Sequence, residues 1–344
     1  MSKFKAAVLF KQKKDLKIIN VESIRNLESG QVLVKLITAG ICGAQINEIN
    51  GIKGEDKFLP HLMGHEGYGI VEQIGPNVKK VKVNDKVVLH WRKSLGINAR
   101  PAKFKSKYGI INSGNVTTFS EKTIVSENRV SKFNPKNKDE ELIAPLLGCA
   151  IPTALFLILK ESSIIKNKKN CNILINGLGG LGLTTAICLK ILGIKNIAIF
   201  EKFVSKKKFI RKFNFNFFSN LSSKKIIYNE KFTHVIDTTG DLKVISKSFD
   251  LLSKNSELIL VGQPKINNKL IISNALTFFE GKKIYASDGG SYEPLKDFKK
   301  MLKIVRGNLN LFKTLISDVV SLDHVNYGIN KIKNGKSMRV IIKL

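Results

Sequence analysis

Seven residues, Asn176 to Gly182 (NGLGGLG), constrain the fold more than any other part of the chain. They follow the compact apolar run Asn172 to Asn176 and lead into a helical stretch, Leu181 to Leu192, with a second apolar run at Ile197 to Phe200. Strand, glycine-rich turn, helix and strand in this order make a βαβ unit. In that context Gly177 permits the tight turn, Gly179 lets the backbone approach a pyrophosphate, and Gly182 lets helix and strand pack closely. Gly180 and Leu181 then offer helix N-terminal N–H groups to phosphates. Glu201 lies 19 residues after Gly182, at the end of the second strand, where an acid binds adenosine ribose hydroxyls and repels a 2′-phosphate. NAD is therefore expected over NADP, with Lys202, Lys206, Lys207 and Lys208 pulling the other way. Further strand candidates at His234 to Ile236 and Leu258 to Val261, with a helix at Leu242 to Leu252, extend the unit. The middle third reads as an α/β, doubly wound parallel sheet of the Rossmann kind.

The flanks have another character. Lys5 to Phe10, Val32 to Ile37, Tyr68 to Ile74, Lys86 to Trp91 and Thr117 to Val125 read as short strands broken by glycine and asparagine. A long apolar helix is expected around Leu142. From about Ser287 the pattern changes again, to a helix near Leu295 to Val305 and a closing strand, Arg339 to Leu344. At 344 residues the chain suits about two domains, and 43% hydrophobic with 25% charged residues places it with ordinary globular proteins.

The net charge of +31 is the one extreme value. Its lysines are scattered along the whole chain, whereas a nucleic-acid surface would cluster arginine and aromatics on one element, so no nucleic-acid partner is expected. Arg92, Lys93, Arg100, Lys103, Lys105 and Lys107 are the exception: a basic run without an acid, read either as a solvated loop or as a loop that steers an anionic substrate. Cys42, Cys149, Cys171 and Cys188 form no close pair, and Ala6 to Phe10 is too short for a secretory core, which suggests a cytoplasmic, reducing setting. Leu142 to Leu159 is uncharged for 18 residues, but Pro145, Gly148 and Pro152 interrupt it, and no membrane span is expected.

Cys42, His65 and Cys149 are candidate soft ligands; three such ligands with one open position suit catalytic zinc. On spacing alone, two lone cysteines and a histidine so far apart are more often core residues than a site. The motifs GICG, GHEGYGIVEQIG, VNDKVVL, LLGC with Thr153 four residues on, and GLGGLG, in this order, resemble the zinc-containing medium-chain alcohol dehydrogenases nearly end to end. That resemblance implies a GroES-like β-barrel catalytic domain, residues 1–150 with 287–344 returning to it, and a Rossmann domain, 151–286, inserted between. It implies that Cys42, His65 and Cys149 hold the metal with the acid Glu66 beside it. Thr153 would pack behind the nicotinamide, Arg339 would reach the cofactor's pyrophosphate, and Lys206 would lie near the adenosine. Zinc would then polarise an alcohol or carbonyl oxygen while hydride moves to or from NAD.

Several positions depart from the family. No cysteine occurs in Arg92 to Gly114, so one catalytic zinc and no structural zinc is expected. Ala44 replaces the usual relay hydroxyl, Gln45 an aspartate and Asn47 a histidine, which leaves ordered water, Glu48 or substrate hydroxyls to move the proton. Ala44 and Trp91 are expected in the substrate pocket, with Trp91 as an aromatic wall or as plain core. The substrate is read as a small alcohol or carbonyl compound, with an anionic sugar or polyol derivative as one option. A homodimer or homotetramer is expected, pairing through Ile284 to Ala286. Two alternatives remain: a zinc-free quinone or enone reductase, and a catalytically silent Rossmann-type protein that binds nucleic acid.

Overall fold

A computed structural model describes residues 3–222, 231–272 and 274–344. The chain divides into two compact units, Met1–Ala150 with Tyr292–Leu344, and Ile151–Ser291.

The second unit is built on six parallel strands in the order Asn216–Phe218, Asn196–Phe200, Asn172–Asn176, Phe232–Asp237, Leu252–Leu260 and Lys283–Ala286. Ile173, Leu174 and Ile175 of the central strand are fully buried, as the near-continuous apolar runs of a parallel sheet covered on both faces require. Ile175 pairs with Ile199 on one side and Ile236 on the other. The helix Gly180–Ile191 follows the glycine turn, and Leu242–Asp250 connects two further strands. The strand Leu252–Leu260 starts well before the expected Leu258, because its first half, with Lys254 and Asn255 exposed, lacks the apolar signal.

The first unit carries a closed barrel of Phe4–Leu9, Lys17–Ser23, Lys103–Ser106, Gly109–Asn112 and His61–Leu62. Beside it runs a sheet in the order Val130–Lys132, Lys86–Leu89, Gly67–Ile74, Gln31–Ile41, Arg339–Lys343 and Ile316–Ser321, with Lys122–Ser126 also paired to Gln31–Ile41. Val340 lies opposite Ile41, so the last strand of the chain sits against one of its first.

Three expectations need correction. The helix around Leu142 is not one helix: Lys138–Ile143 is α-helical, Ala144–Gly148 a 3₁₀ turn, Ala150–Phe156 α-helical and Leu157–Glu161 a π turn. Pro145 and Pro152 lack the N–H that a continuous helix needs. No single helix among the described residues is long and apolar enough to cross a membrane. The basic run is not one loop either, since Lys103–Ser106 and Gly109–Asn112 form a hairpin of the barrel. Its alternating lysines are the outer face of a strand, a period of two that reads as a charge run in sequence. Nor is the run free of acids in space: Lys105 pairs with Glu22 at 3.0 Å across the neighbouring strand. Finally, the strand expected from Thr117 begins only at Lys122; upstream of it Ser120 makes an isolated bridge to Ala6.

Candidate metal centre and dinucleotide turn

Cys42 closes the strand Gln31–Ile41 and caps the helix Gly43–Ile49. Its N–H donates to Gln45 Oε1 at 3.0 Å, and Gln45 N–H donates back to Cys42 O at 3.2 Å. This reciprocal pair resembles a capping box and fixes where the Cys42 side chain starts. Cys149 follows Gly148, where a Cβ would stand 2.1 Å from Leu89 O; only glycine allows the chain that close to the sheet. His65 comes from the segment leading into Gly67–Ile74.

The three side chains converge. Their sulfur and nitrogen ligand atoms all lie within 4.8 Å of one another, and His65 Nε2 is 3.2 Å from Cys149 Sγ. The other ring nitrogen of His65, Nδ1, touches the Gln45 side-chain amide, so the ring is held from behind with Nε2 toward the sulfurs. The hydrogen bond from Cys149 pushes the Cys42 thiol far down; burial opposes this, and the Arg339 charge adds to it. Cys149, as the donor of that bond and a buried group, is pushed up. Burial disfavours a charged His65, but its hydrogen bond with Cys42 and the charges of Cys42 and Glu66 outweigh burial and raise it. Two sulfurs competing for one proton beside an imidazole form a donor set short of a cation, which fits zinc with a position left open.

Glu66 is not among the converging ligand atoms. Its Oε1 accepts from Arg339 Nη1 at 2.7 Å in a fully buried ion pair, while Oε2 is buried without a hydrogen-bond partner among the described residues. Burial raises the Glu66 carboxyl, and Arg339 opposes the rise. Arg339, expected at a pyrophosphate, is buried with its guanidinium on Glu66 and, at 3.4 Å, on Ile41 O. Ala44 lies half-buried one position before Gln45. Trp91 is 36% exposed, with Arg92 stacked over its ring.

In the second unit the glycine turn has the form its sequence suggests. A Cβ on Gly182 would stand 1.9 Å from Gly177 O, so strand and helix are in backbone contact there. A Cβ on Gly179 would meet nothing within 4 Å. Gly179, Gly180 and Leu181 are half-buried at the helix N-terminus, where the backbone N–H groups could receive an anion such as a pyrophosphate. Glu201 accepts from Leu178 N at 3.0 Å, Phe203 N at 3.0 Å and Lys206 Nζ at 2.8 Å, so the two residues expected near adenosine are paired with each other. Thr153 is buried in the helix Ala150–Phe156.

A cavity of about 390 Å³ in the first unit is lined by His65 and Gln45 together with Glu48, Asp56, His61 and Thr117. Trp91 and the basic run are not among its lining residues. Asp56 and His61 were not anticipated from sequence, where a histidine four positions before His65 and an acid five before that carry no recognisable spacing.

Comparison with known proteins agrees with this fold. The profile of the alcohol dehydrogenase GroES-like domain matches residues 28–135. Alcohol dehydrogenase 6 of Peromyscus maniculatus is 25% identical over 98% of this chain and 97% of its own length. Alcohol dehydrogenase 1 of Pisum sativum is 24% identical over 99% and 97%. Residues 28–135 thus carry the alcohol dehydrogenase GroES-like domain, and over nearly its full length the chain is similar to alcohol dehydrogenases. The family fold extends to crystal structures: benzyl alcohol dehydrogenase from Acinetobacter calcoaceticus superposes over the full length of both chains with a TM-score of 0.86 at 20% identity. This likeness supports an oxidoreductase of alcohols and carbonyl compounds.

Proposed function

We propose that the protein is an NAD(H)-dependent, zinc-dependent alcohol dehydrogenase with one catalytic zinc per chain, held by Cys42, His65 and Cys149. The observation that carries this reading is the convergence of those three ligand atoms from three separate segments. Bound zinc would supply a Lewis acid for the substrate oxygen, and bound NAD a hydride acceptor. The chain's own parts do the rest. Gln45 orients the His65 ring, Gly177 to Gly182 receive the pyrophosphate, Glu201 offers its carboxylate to the ribose, and Thr153 packs by the nicotinamide. The Glu66–Arg339 pair keeps a buried charge of each sign beside the cysteines.

Glu48 and Asp56 line the cavity at His65, which has no lysine or arginine in its lining. This wall therefore favours neutral alcohols over the anionic substrates that the basic run suggested. A homodimer or homotetramer belongs to the same reading, with Lys283–Ala286 at the edge of its sheet as the pairing strand.

The test is turnover of the zinc-loaded chain with NAD and a panel of benzyl alcohol, 2,3-butanediol, sorbitol and sorbitol 6-phosphate, alongside zinc quantification. We expect about one zinc per chain, and Cys149→Ala to lose the metal and at least about 100-fold in kcat/KM. A Cys149→Ala protein with undiminished turnover would refute the zinc reading. Faster turnover of the phosphate than of sorbitol, suppressed by salt, would restore the anionic substrate.

A further inference from the structure

Four titratable side chains line the 390 Å³ cavity: His65, Glu48, Asp56 and His61. His65 belongs to the metal centre. Asp56 and His61 are committed to each other, with Asp56 Oδ2 2.7 Å from His61 Nε2. Both are fixed from behind: His61 Nδ1 donates to Leu62 O at 2.8 Å, and Asp56 Oδ1 accepts from Phe58 N at 2.9 Å. Glu48 is different. It lies three residues beyond Gln45 on the helix Gly43–Ile49 and so faces the same side as the residue that touches His65. Its Oε1 is 3.8 Å from His61 Nε2, its carboxylate has no hydrogen bond to another described residue, and its side chain is 43% exposed.

Oxidising an alcohol releases a hydroxyl proton as well as a hydride, and a base must take that proton. We propose that Glu48 is that base, taking the proton on a free carboxylate oxygen by way of water in the cavity it shares with His65, with Asp56 and His61 as its positioning residues. The proposal rests on the alcohol dehydrogenase reading. In the step the C–H bond breaks, and bound NAD would accept its electron pair as hydride. The O–H bond breaks and its proton goes to Glu48, and the C=O bond forms. Glu48 then gives the proton to solvent at its exposed edge, and in the reduction it acts as the acid.

Burial raises the Glu48 carboxyl above its ordinary value and the Asp56 charge adds to the rise, while His61, His65 and Lys53 pull it back. A carboxyl moved toward working pH is a better matched base. Oxidation requires the deprotonated form, so kcat/KM should fall as pH drops through this raised pKa.

The experiment compares zinc-loaded wild type, Glu48→Gln and His61→Gln on whichever alcohol of the panel is oxidised fastest. Glu48→Gln should keep zinc content and NADH affinity, lose about 100-fold in kcat for oxidation, lose the acidic limb of the pH profile, and regain rate with added formate. His61→Gln, which removes the ring that holds the Glu48 carboxyl down, should move that limb to higher pH. A Glu48→Gln enzyme within about twofold of wild type with the limb intact overturns this proposal alone. A wild type that binds zinc and NADH yet oxidises no alcohol overturns it together with the reading on which it rests.

Discussion

At the scale of single residues, His90 shows how burial sets a protonation state. Its Nδ1 donates to Arg92 O at 2.6 Å and its Nε2 accepts from Ser131 Oγ at 3.0 Å, the pattern of a neutral ring. Burial pushes its pKa down to about 4, against 6.5 for an ordinary histidine. Between those values the unfolded chain binds a proton that the folded chain refuses. Stability from this group is therefore whole above about pH 6.5 and is lost as pH falls to about 4, to a total of about 3 kcal/mol. Urea midpoints should drop between pH 7 and 4.5 in wild type and drop less in His90→Gln; equal slopes would refute the assignment. The candidate metal ligands were legible by type, because cysteine and histidine in GICG, GHEG and LLGC are recognisable chemistry. Their convergence, and the Glu48, Asp56 and His61 cluster beside them, were not, because no local spacing encodes which segments meet.

Elements were legible where their period is unbroken. The helix Gly180–Ile191 and the strands around it follow from apolar runs and three glycines, and the close contact at Gly182 gives a direct test. Gly182→Ala should cost about 1–3 kcal/mol and weaken NADH binding at least about tenfold, because the added methyl would overlap Gly177 O and shift the helix N-terminus. Gly307→Ala is the control: at the end of the helix Pro294–Gly307 its Cβ meets nothing within 4 Å, and it should be neutral or slightly stabilising. Calorimetry and NADH fluorescence titration check both. The elements that escaped notice, Lys17–Ser23, the hairpin at Lys103–Asn112 and Ile316–Ser321, are strands whose outward lysines, glutamates or serines mask the alternation. The long helix near Leu142 was misread for the opposite reason: uniform burial of apolar side chains carries no period at all, so its breaks at proline and glycine were the only signal.

For the whole molecule, each unit carries one of the two proposed ligand sites, so each ligand should stabilise the unit proposed to hold it. NADH at 100 times its Kd should add about 2.7 kcal/mol to the unit with the glycine turn, and a chelator should lower the melting of the unit with Cys42, His65 and Cys149. Differential scanning calorimetry with each addition checks this; a melting profile indifferent to chelation would argue against a resident zinc. Residue order alone decided the form of the turn at Gly177 to Gly182, the soft donor types and the family resemblance, because each is written in short contiguous stretches. Only the folded chain decided that Glu66 belongs to Arg339, that Lys105 meets Glu22, and that Glu48 faces His61 and Asp56. Those contacts join residues tens to hundreds of positions apart, or across a loop, and such pairings are set by sheet register and packing rather than by neighbours in the chain.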